Sequence, residues 1–177
     1  MTILKLKIIL FFIMYLLFIT SFANATTKVP FENMVINENS IINKDIKFEN
    51  SQGQIIDLKK YKGEIVILNF WATWCDPCRE EMTSLDKLQT DERVLKLKVF
   101  PINIEKKNLK KTEKFFNDLN IKNLSVFFDP EFKLVKVFSI RGVPTTIIIN
   151  RKGEELAKVI GAVDFLDKKF INWISKY

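Results

Sequence analysis

The feature that most limits the fold of this chain is an apolar run that leads directly into two closely spaced cysteines. Residues 65–70 read IVILNF, and residues 71–81 continue WATWCDPCREE. An apolar run of β-forming residues predicts a strand buried on both faces, as in parallel sheets covered by helices. The next residues have the spacing of an amphipathic helix, with Met82, Leu85 and Leu88 on one face. The cysteines are therefore predicted to lie between a central strand and a helix.

The remaining patterns complete one α/β domain over residues 46–177. Two short strands around Ser51 form an early hairpin, and strand and helix patterns then alternate up to a last helix, for which Asp164 is the expected N-cap. Pro101 predicts a bulge or an interruption in one strand. The order β-β, then β-α-β-α-β-α, then β-β-α predicts a central mixed sheet flanked by helices.

The first 25 residues have the three-part layout of an export signal. Two lysines precede the run IILFFIMYLLFIT, and small residues follow at Ala23 and Ala25. The run is short for a membrane span of about 20 residues, so we predict cleavage after Ala25, with a retained membrane anchor as the alternative. Both place the rest of the chain in the periplasm or on the extracytoplasmic face of the membrane, where a disulfide can persist. Residues 26–45 are polar and Asn-rich, which indicates a tether.

The composition excludes several classes of function. The formal net charge is +7, but the chain has no arginine-rich run and no basic strip with interleaved aromatic residues. This favours a solvated surface over nucleic-acid binding. Histidine is absent, which excludes His-activated nucleophiles and His metal ligands. We expect no cofactor, and membrane contact only through the N-terminal segment.

The spacing of Cys75 and Cys78 suits a reactive thiol pair. Cys75 is expected at the helix N-cap and Cys78 in the first turn, where unpaired N–H groups and the helix dipole favour a thiolate. Cys75 would attack a substrate disulfide, and the shielded Cys78 would resolve the mixed disulfide. Pro77 suits the first helical positions, whereas the negative charge of Asp76 partly opposes the dipole and is expected to make the pair less oxidising.

Glu81 lies three residues after Cys78, about 60° away around the predicted helix. Its carboxylate is placed to accept the proton of Cys78, although a negative charge near a thiolate also raises the pKa of that thiol. The alternative is that Glu81 only complements the helix dipole. The sequence leaves both interpretations open.

Other uses of the cysteine pair are less favoured. A tetrahedral zinc site needs four ligands, and the chain has only two cysteines and no histidine. Two thiolates can hold Cu(I), so a copper-binding metallochaperone is the alternative function. A purely structural disulfide would close too short a loop to stabilise much. No peroxide-activating motif stands apart from the cysteine pair.

The segments FWATWCDPC and SIRGVPTTIIINRKGEELAKVIGAVD resemble two parts of the thioredoxin superfamily. The resemblance places Val143 and Pro144 at the cis-proline position, beside the cysteines. It implies that backbone groups of Val143 pair with a substrate strand. It also implies that Trp74 borders the docking groove, whereas we expect Trp71 in the core.

Three further features resemble the TlpA/ResA-like exported thiol–disulfide oxidoreductases. They are the export segment, the early hairpin and an inserted strand–helix region over residues 106–130, and the likeness covers residues 45–175. Glu81 falls where ResA-like members have an active-site glutamate, and Asn69 falls where cytoplasmic thioredoxins have a buried aspartate. The glutamate insertion of the CcmG branch is absent from SIRGVPTT.

The resemblance implies an enzyme that reduces disulfides in exported proteins. Its substrates would be protein thiols and disulfides, for example in apocytochrome c or in copper-site proteins. Its electrons would come from a membrane thiol carrier of the DsbD or CcdA kind. The redox direction itself is not fixed by the sequence.

Overall fold

The computed structural model describes residues 7, 29–41 and 45–177, with the backbone alone at residues 38–41. Apart from Lys7, the predicted export segment lies outside the described residues. In the described part of the chain the strands are β1 (Met34–Ile41), β2 (Lys47–Asn50), β3 (Ile55–Asp57), β4 (Ile65–Trp71), β5 (Leu97–Asn103), β6 (Phe127–Phe128), β7 (Thr145–Ile149) and β8 (Glu154–Ile160). The helices are α1 (Asp76–Leu88), α2 (Leu109–Asp118), α3 (Lys133–Val137) and α4 (Lys168–Ile174), with a 3₁₀ helix at Leu58–Tyr61. None of these helices has the length and hydrophobicity of a membrane span.

The strands form one mixed sheet in the order β1-β8-β7-β4-β5-β6-β2-β3. Strand β4 lies near its centre, parallel to β5 and antiparallel to β7. Every residue of β4 is buried. Alternate side chains enter two cores, one shared with α1, α2 and α4 and the other shared with α3. The predicted mixed sheet flanked by helices is confirmed.

Strand β1 corrects the tether that was predicted for residues 26–45. Residues 34–41 pair antiparallel with β8, with Met34 opposite Val159 and a bulge between Ile36 and Ser40. The folded domain therefore begins before residue 46. Strand β1 lies at the edge of the sheet, where part of its apolar surface faces solvent, and Val35 is exposed. An edge strand needs less regular hydrophobic alternation than a central one, so its pattern was too weak to recognise.

Pro101 does not interrupt its strand, contrary to the sequence prediction. Strand β5 stays in register with β4 throughout, and Pro101 lies opposite Asn69. On its other side β5 pairs with β6 only at Ile102 and Asn103. Proline is tolerated at this point because β6 has not yet begun to pair there.

The last helix begins later than the sequence indicated. Its N-cap is Asp167, whose side chain accepts a hydrogen bond from the backbone N–H of Lys169, rather than Asp164. The side chain of Asp164 accepts from the N–H of Leu166 and forms a turn before the helix. Both aspartates precede apolar residues, so the local sequence pattern does not distinguish the turn at Asp164 from the N-cap at Asp167.

Candidate active site

The two cysteines lie where the chain passes from β4 into α1, and they form a disulfide with a Cα–Cα distance of 5.3 Å. Cys75 is the N-cap of α1, and its Sγ accepts a hydrogen bond from the backbone N–H of Cys78 at 3.2 Å. The Cys75 and Cys78 side chains are 3% and 0% exposed. This N–H, which is shared with the Cys75 carbonyl oxygen at 3.1 Å, would stabilise a thiolate on Cys75 after reduction of the disulfide.

Exposed side chains surround the buried sulfur atoms. Asp76 and Pro77 are the first two residues of α1, and both are exposed. Trp74, immediately before Cys75, is 65% exposed. Trp71 is fully buried and packs against Phe115, with 4.5 Å between the ring centroids. Trp71 therefore lies in the core, as expected, whereas the side chain of Trp74 is exposed to solvent.

The Val143–Pro144 peptide bond is cis and immediately precedes β7. Pro144 is buried, and its carbonyl oxygen accepts a hydrogen bond from the N–H of Gly161 at 2.9 Å. Val143 is partly buried and packs against the core cluster that contains Cys75 and Cys78. The fold thus brings together two motifs that are far apart in the sequence.

Glu81 is a carboxyl group buried in the interior, with 2% of its surface exposed. Its Oε1 accepts a hydrogen bond from Asn69 Nδ2 at 2.7 Å. Burial raises the pKa of Glu81 to about 8, although hydrogen bonds from Asn69 and the Val163 backbone act in the opposite direction. Such a carboxyl group is mostly protonated at neutral pH and would add little charge to the helix dipole.

Asn69 links Glu81 to a third polar side chain, on β7. Its Nδ2 also donates to Thr146 Oγ1 at 2.9 Å, and Asn69 and Thr146 are cross-strand partners. Sequence reasoning did not identify Thr146. The available signal was one polar residue in the otherwise apolar strand IVILNFW and two threonines at the start of TTIII, whose pairing only the sheet reveals.

An open cavity of about 500 Å³ lies next to Glu81. It is bordered by α1 residues, including Ser84 and Lys87, and by residues after β8, including Val163 and Asp164. The cavity offers the buried carboxyl group a route for proton exchange with solvent. In the described part of the chain, no three Cys, Asp or Glu side chains gather in a cluster that could hold a metal ion.

Glu105 anchors the loop before Cys75, and sequence reasoning missed it. Its carboxylate accepts hydrogen bonds from the backbone N–H of Thr73 and from Lys111 Nζ at 2.7 Å, with a longer contact to Asn103 Nδ2 at 3.3 Å. Partial burial alone would raise the pKa of Glu105, but these donors outweigh it and lower the pKa to about 2. The carboxylate therefore stays ionised and ties the loop to the end of β5.

Comparisons with known proteins show which proteins this chain resembles. Residues 42–154 match the AhpC/TSA family. The thiol–disulfide oxidoreductase ResA from Halalkalibacterium halodurans is 32% identical over 106 residues, which are 60% of this chain and 59% of ResA. The thioredoxin-like protein YneN from Bacillus subtilis is 35% identical over 112 residues, 62% of this chain and 64% of YneN. The chain thus matches about three fifths of the length of these curated relatives. The predicted relationship to TlpA/ResA-like thioredoxin-like proteins is confirmed.

A similar solved structure is that of a DsbF homologue from Corynebacterium diphtheriae. It matches with a TM-score of 0.67 and 25% identity, over 82% of this chain and 94% of that protein. The predicted thioredoxin-like fold is confirmed.

The raised pKa of Glu81 predicts a specific pH dependence of stability. Between the unfolded value of 4.5 and the folded value of about 8, the folded state holds a proton that the unfolded state has lost. The free energy of unfolding should therefore fall as the pH rises through this window, by up to about 1.4 kcal/mol per pH unit, relative to a Glu81→Gln variant. Denaturant unfolding of the oxidised protein at several pH values measures this difference. The matched control is Glu80→Gln, on the exposed neighbour, which should keep the wild-type slope. Parallel pH profiles for wild type and Glu81→Gln would contradict the prediction.

Replacing Glu105 should loosen the loop before the cysteines. In Glu105→Ala the backbone N–H of Thr73 loses its acceptor, so its hydrogen exchange should become faster by about tenfold, the equivalent of one charge-assisted hydrogen bond. Glu105→Gln keeps a side-chain acceptor and should show a smaller change. Amide exchange followed by NMR measures both variants. Unchanged protection of Thr73 in Glu105→Ala would show that other contacts hold the loop.

Proposed function

We propose that this chain, which belongs to the AhpC/TSA family, is a thiol–disulfide oxidoreductase that acts through Cys75 and Cys78. The observation that carries the proposal is the disulfide at the start of α1, in which Cys75 Sγ accepts a hydrogen bond from the backbone N–H of Cys78. A sulfur atom in this position is stabilised as a thiolate and is therefore a good nucleophile and a good leaving group. The similar protein ResA is named a thiol–disulfide oxidoreductase, and YneN is named a thioredoxin-like protein, which supports the same chemistry for this chain.

The reducing reaction starts from the dithiol. The Cys75 thiolate attacks one sulfur of a substrate disulfide, a mixed disulfide forms, and one substrate thiolate leaves. Cys78 then loses its proton, attacks Cys75 Sγ and releases the second substrate thiolate. Two electrons pass to the substrate, and the enzyme is left with the Cys75–Cys78 disulfide.

The proposed acceptor of the Cys78 proton is Glu81 in its ionised form, which is the smaller fraction at neutral pH. Its pKa of about 8 lies close to that of an ordinary thiol, about 8.5, so transfer between them is nearly balanced in energy. Glu81 lies three residues after Cys78 on α1. The cavity beside Glu81 would return the proton to solvent.

The proposed docking surface is the exposed rim of the site. Trp74 offers apolar contact, and Asp76 and Pro77 border the cysteines. The backbone of Val143, next to the cis peptide bond, would pair with an extended substrate segment as an added strand. Recognition through the backbone would suit unfolded or flexible protein substrates.

We further propose that the protein works outside the cytoplasm as a reductant. The export-signal pattern of residues 1–25 supports this location. The substrates would be disulfides of exported proteins, for example in apocytochrome c or in copper-site proteins. A membrane thiol carrier of the DsbD or CcdA kind would restore the dithiol.

Trapping variants test the assigned roles of the two cysteines. Cys78→Ser should accumulate mixed disulfides through Cys75 with a peptide that contains a disulfide, because the resolving thiol is missing. Cys75→Ser is the matched control and should trap at least tenfold less, because the helix N–H that stabilises a thiolate points at Cys75 Sγ. Non-reducing electrophoresis and mass spectrometry identify the adducts. Equal trapping by both variants, or trapping by neither, would contradict the assignment.

The reduction potential of the Cys75–Cys78 pair tests the proposed direction. A reductant should have a potential nearer to that of thioredoxin, about −270 mV, than to that of the oxidant DsbA, about −120 mV. Equilibration with glutathione or dithiothreitol buffers gives the value. A potential near that of DsbA would indicate an oxidant, without affecting the trapping result.

A further inference from the structure

We infer that Asn69 is a positioning residue whose side-chain amide holds the Glu81 carboxyl group in both of its protonation states and sets the pH at which it exchanges its proton. The relevance to thiol chemistry rests on the proposed function. The inference itself rests on a buried polar cluster of Asn69, Glu81 and Thr146, which unites β4, α1 and β7.

The cluster lies in the interior, with Glu81 at the border of the cavity. Asn69, Thr146 and Glu81 are all buried. The two hydrogens of Asn69 Nδ2 serve Glu81 Oε1 at 2.7 Å and Thr146 Oγ1 at 2.9 Å. Because Asn69 and Thr146 are paired residues of β4 and β7, the sheet fixes the position of the amide.

Two oxygens in this cluster have no hydrogen-bond partner among the described residues, namely Asn69 Oδ1 and Glu81 Oε2. Ionised Glu81 needs donors, and Asn69 Nδ2 supplies one. Protonated Glu81 carries an O–H that needs an acceptor, and buried donors without acceptors are costly. A half-turn of the amide would offer Oδ1 to this O–H.

Thr146 can follow such a turn, because a hydroxyl group both donates and accepts. Asparagine is therefore suited to both charge states of Glu81. Leucine could serve neither. An aspartate at the same place could not donate to ionised Glu81, and it would form a coupled carboxyl pair with it.

Other charged groups lie around the cavity rather than in this cluster. Glu80 and Lys87 of α1 and Asp164 after β8 border the cavity next to Glu81. Cys75 and Cys78 belong to the same side of the sheet. In the described chain, Glu81 accepts a hydrogen bond from the uncharged Asn69 of β4, which also donates to Thr146 of β7. The backbone of Val163 is a further donor to Glu81. The Asn69 amide is thus the side-chain donor through which the protein adjusts Glu81.

The experiment measures the protonation of Glu81 directly in the oxidised protein, in which the thiols do not titrate. The carboxylic-acid C=O band is followed against pH by infrared spectroscopy, and its loss in Glu81→Gln assigns the band. In Asn69→Leu the midpoint should move upward by about one pH unit, because the hydrogen bond lost by the charged carboxylate is stronger than the one lost by the neutral acid. An unchanged or lowered midpoint in folded Asn69→Leu would overturn the inference, since a merely structural residue would change stability without moving it.

A second variant keeps the test decisive if Asn69→Leu does not fold. Thr146→Val removes the hydroxyl that orients the amide and should raise the midpoint by a smaller amount, and no shift would then overturn the inference. Thr146→Ser keeps the hydroxyl and is the matched control. The proposed role of Glu81 as a proton acceptor is tested separately, by the pH profile of thiol exchange in Glu81→Gln. An unchanged profile would contradict that role but would not affect the infrared result for Asn69.

Discussion

The burial of β4 on both faces sets the positions of the elements that surround it. All seven residues of the strand are buried, and β5 and β7 flank it on either side. Its alternating side chains supply both hydrophobic cores, so the position of its carboxyl end is fixed by packing on two sides. The chain leaves this end, makes one short loop and enters α1, which places Cys75 at a helix N-terminus. The reactivity proposed for Cys75 is thus a consequence of where a rigid strand stops.

Burial also determines the properties of the polar cluster formed by Asn69, Glu81 and Thr146. Asn69 interrupts the apolar run of β4, and it survives in the core because Glu81 and Thr146 accept its hydrogen bonds. Burial disfavours the charged form of Glu81 and brings its pKa close to that of a thiol. The cost is stability at alkaline pH, since unfolding lets the carboxyl group ionise in water. A site that exchanges protons near neutral pH is in this way also a point of weakness in the fold.

The outer face of the site is exposed to solvent, unlike the buried cluster around Glu81. Trp74, Asp76 and Pro77 are exposed, whereas both sulfur atoms lie just beneath them. In the proposed reaction, a partner would therefore dock against the rim before its disulfide could reach Cys75. Glu105 keeps this rim in place from below through the N–H of Thr73. Rigid support under an exposed docking surface restricts attack to disulfides that fit it.

The amino-acid pattern alone was enough to predict the buried strand, the cysteine pair at a helix start, the order of most elements and a candidate carboxyl group at Glu81. These follow from local spacing, because hydrophobic period and capping act within a few residues. The sequence did not reveal that residues 34–41 join the sheet, that Pro101 is tolerated in β5, or that Asp167 caps the last helix. Only the tertiary structure paired Asn69 with Thr146 and Glu105 with Thr73, across 77 and 32 residues of chain. It also decided that Glu81 is buried, because solvent exclusion at one carboxyl group depends on every element packed around it.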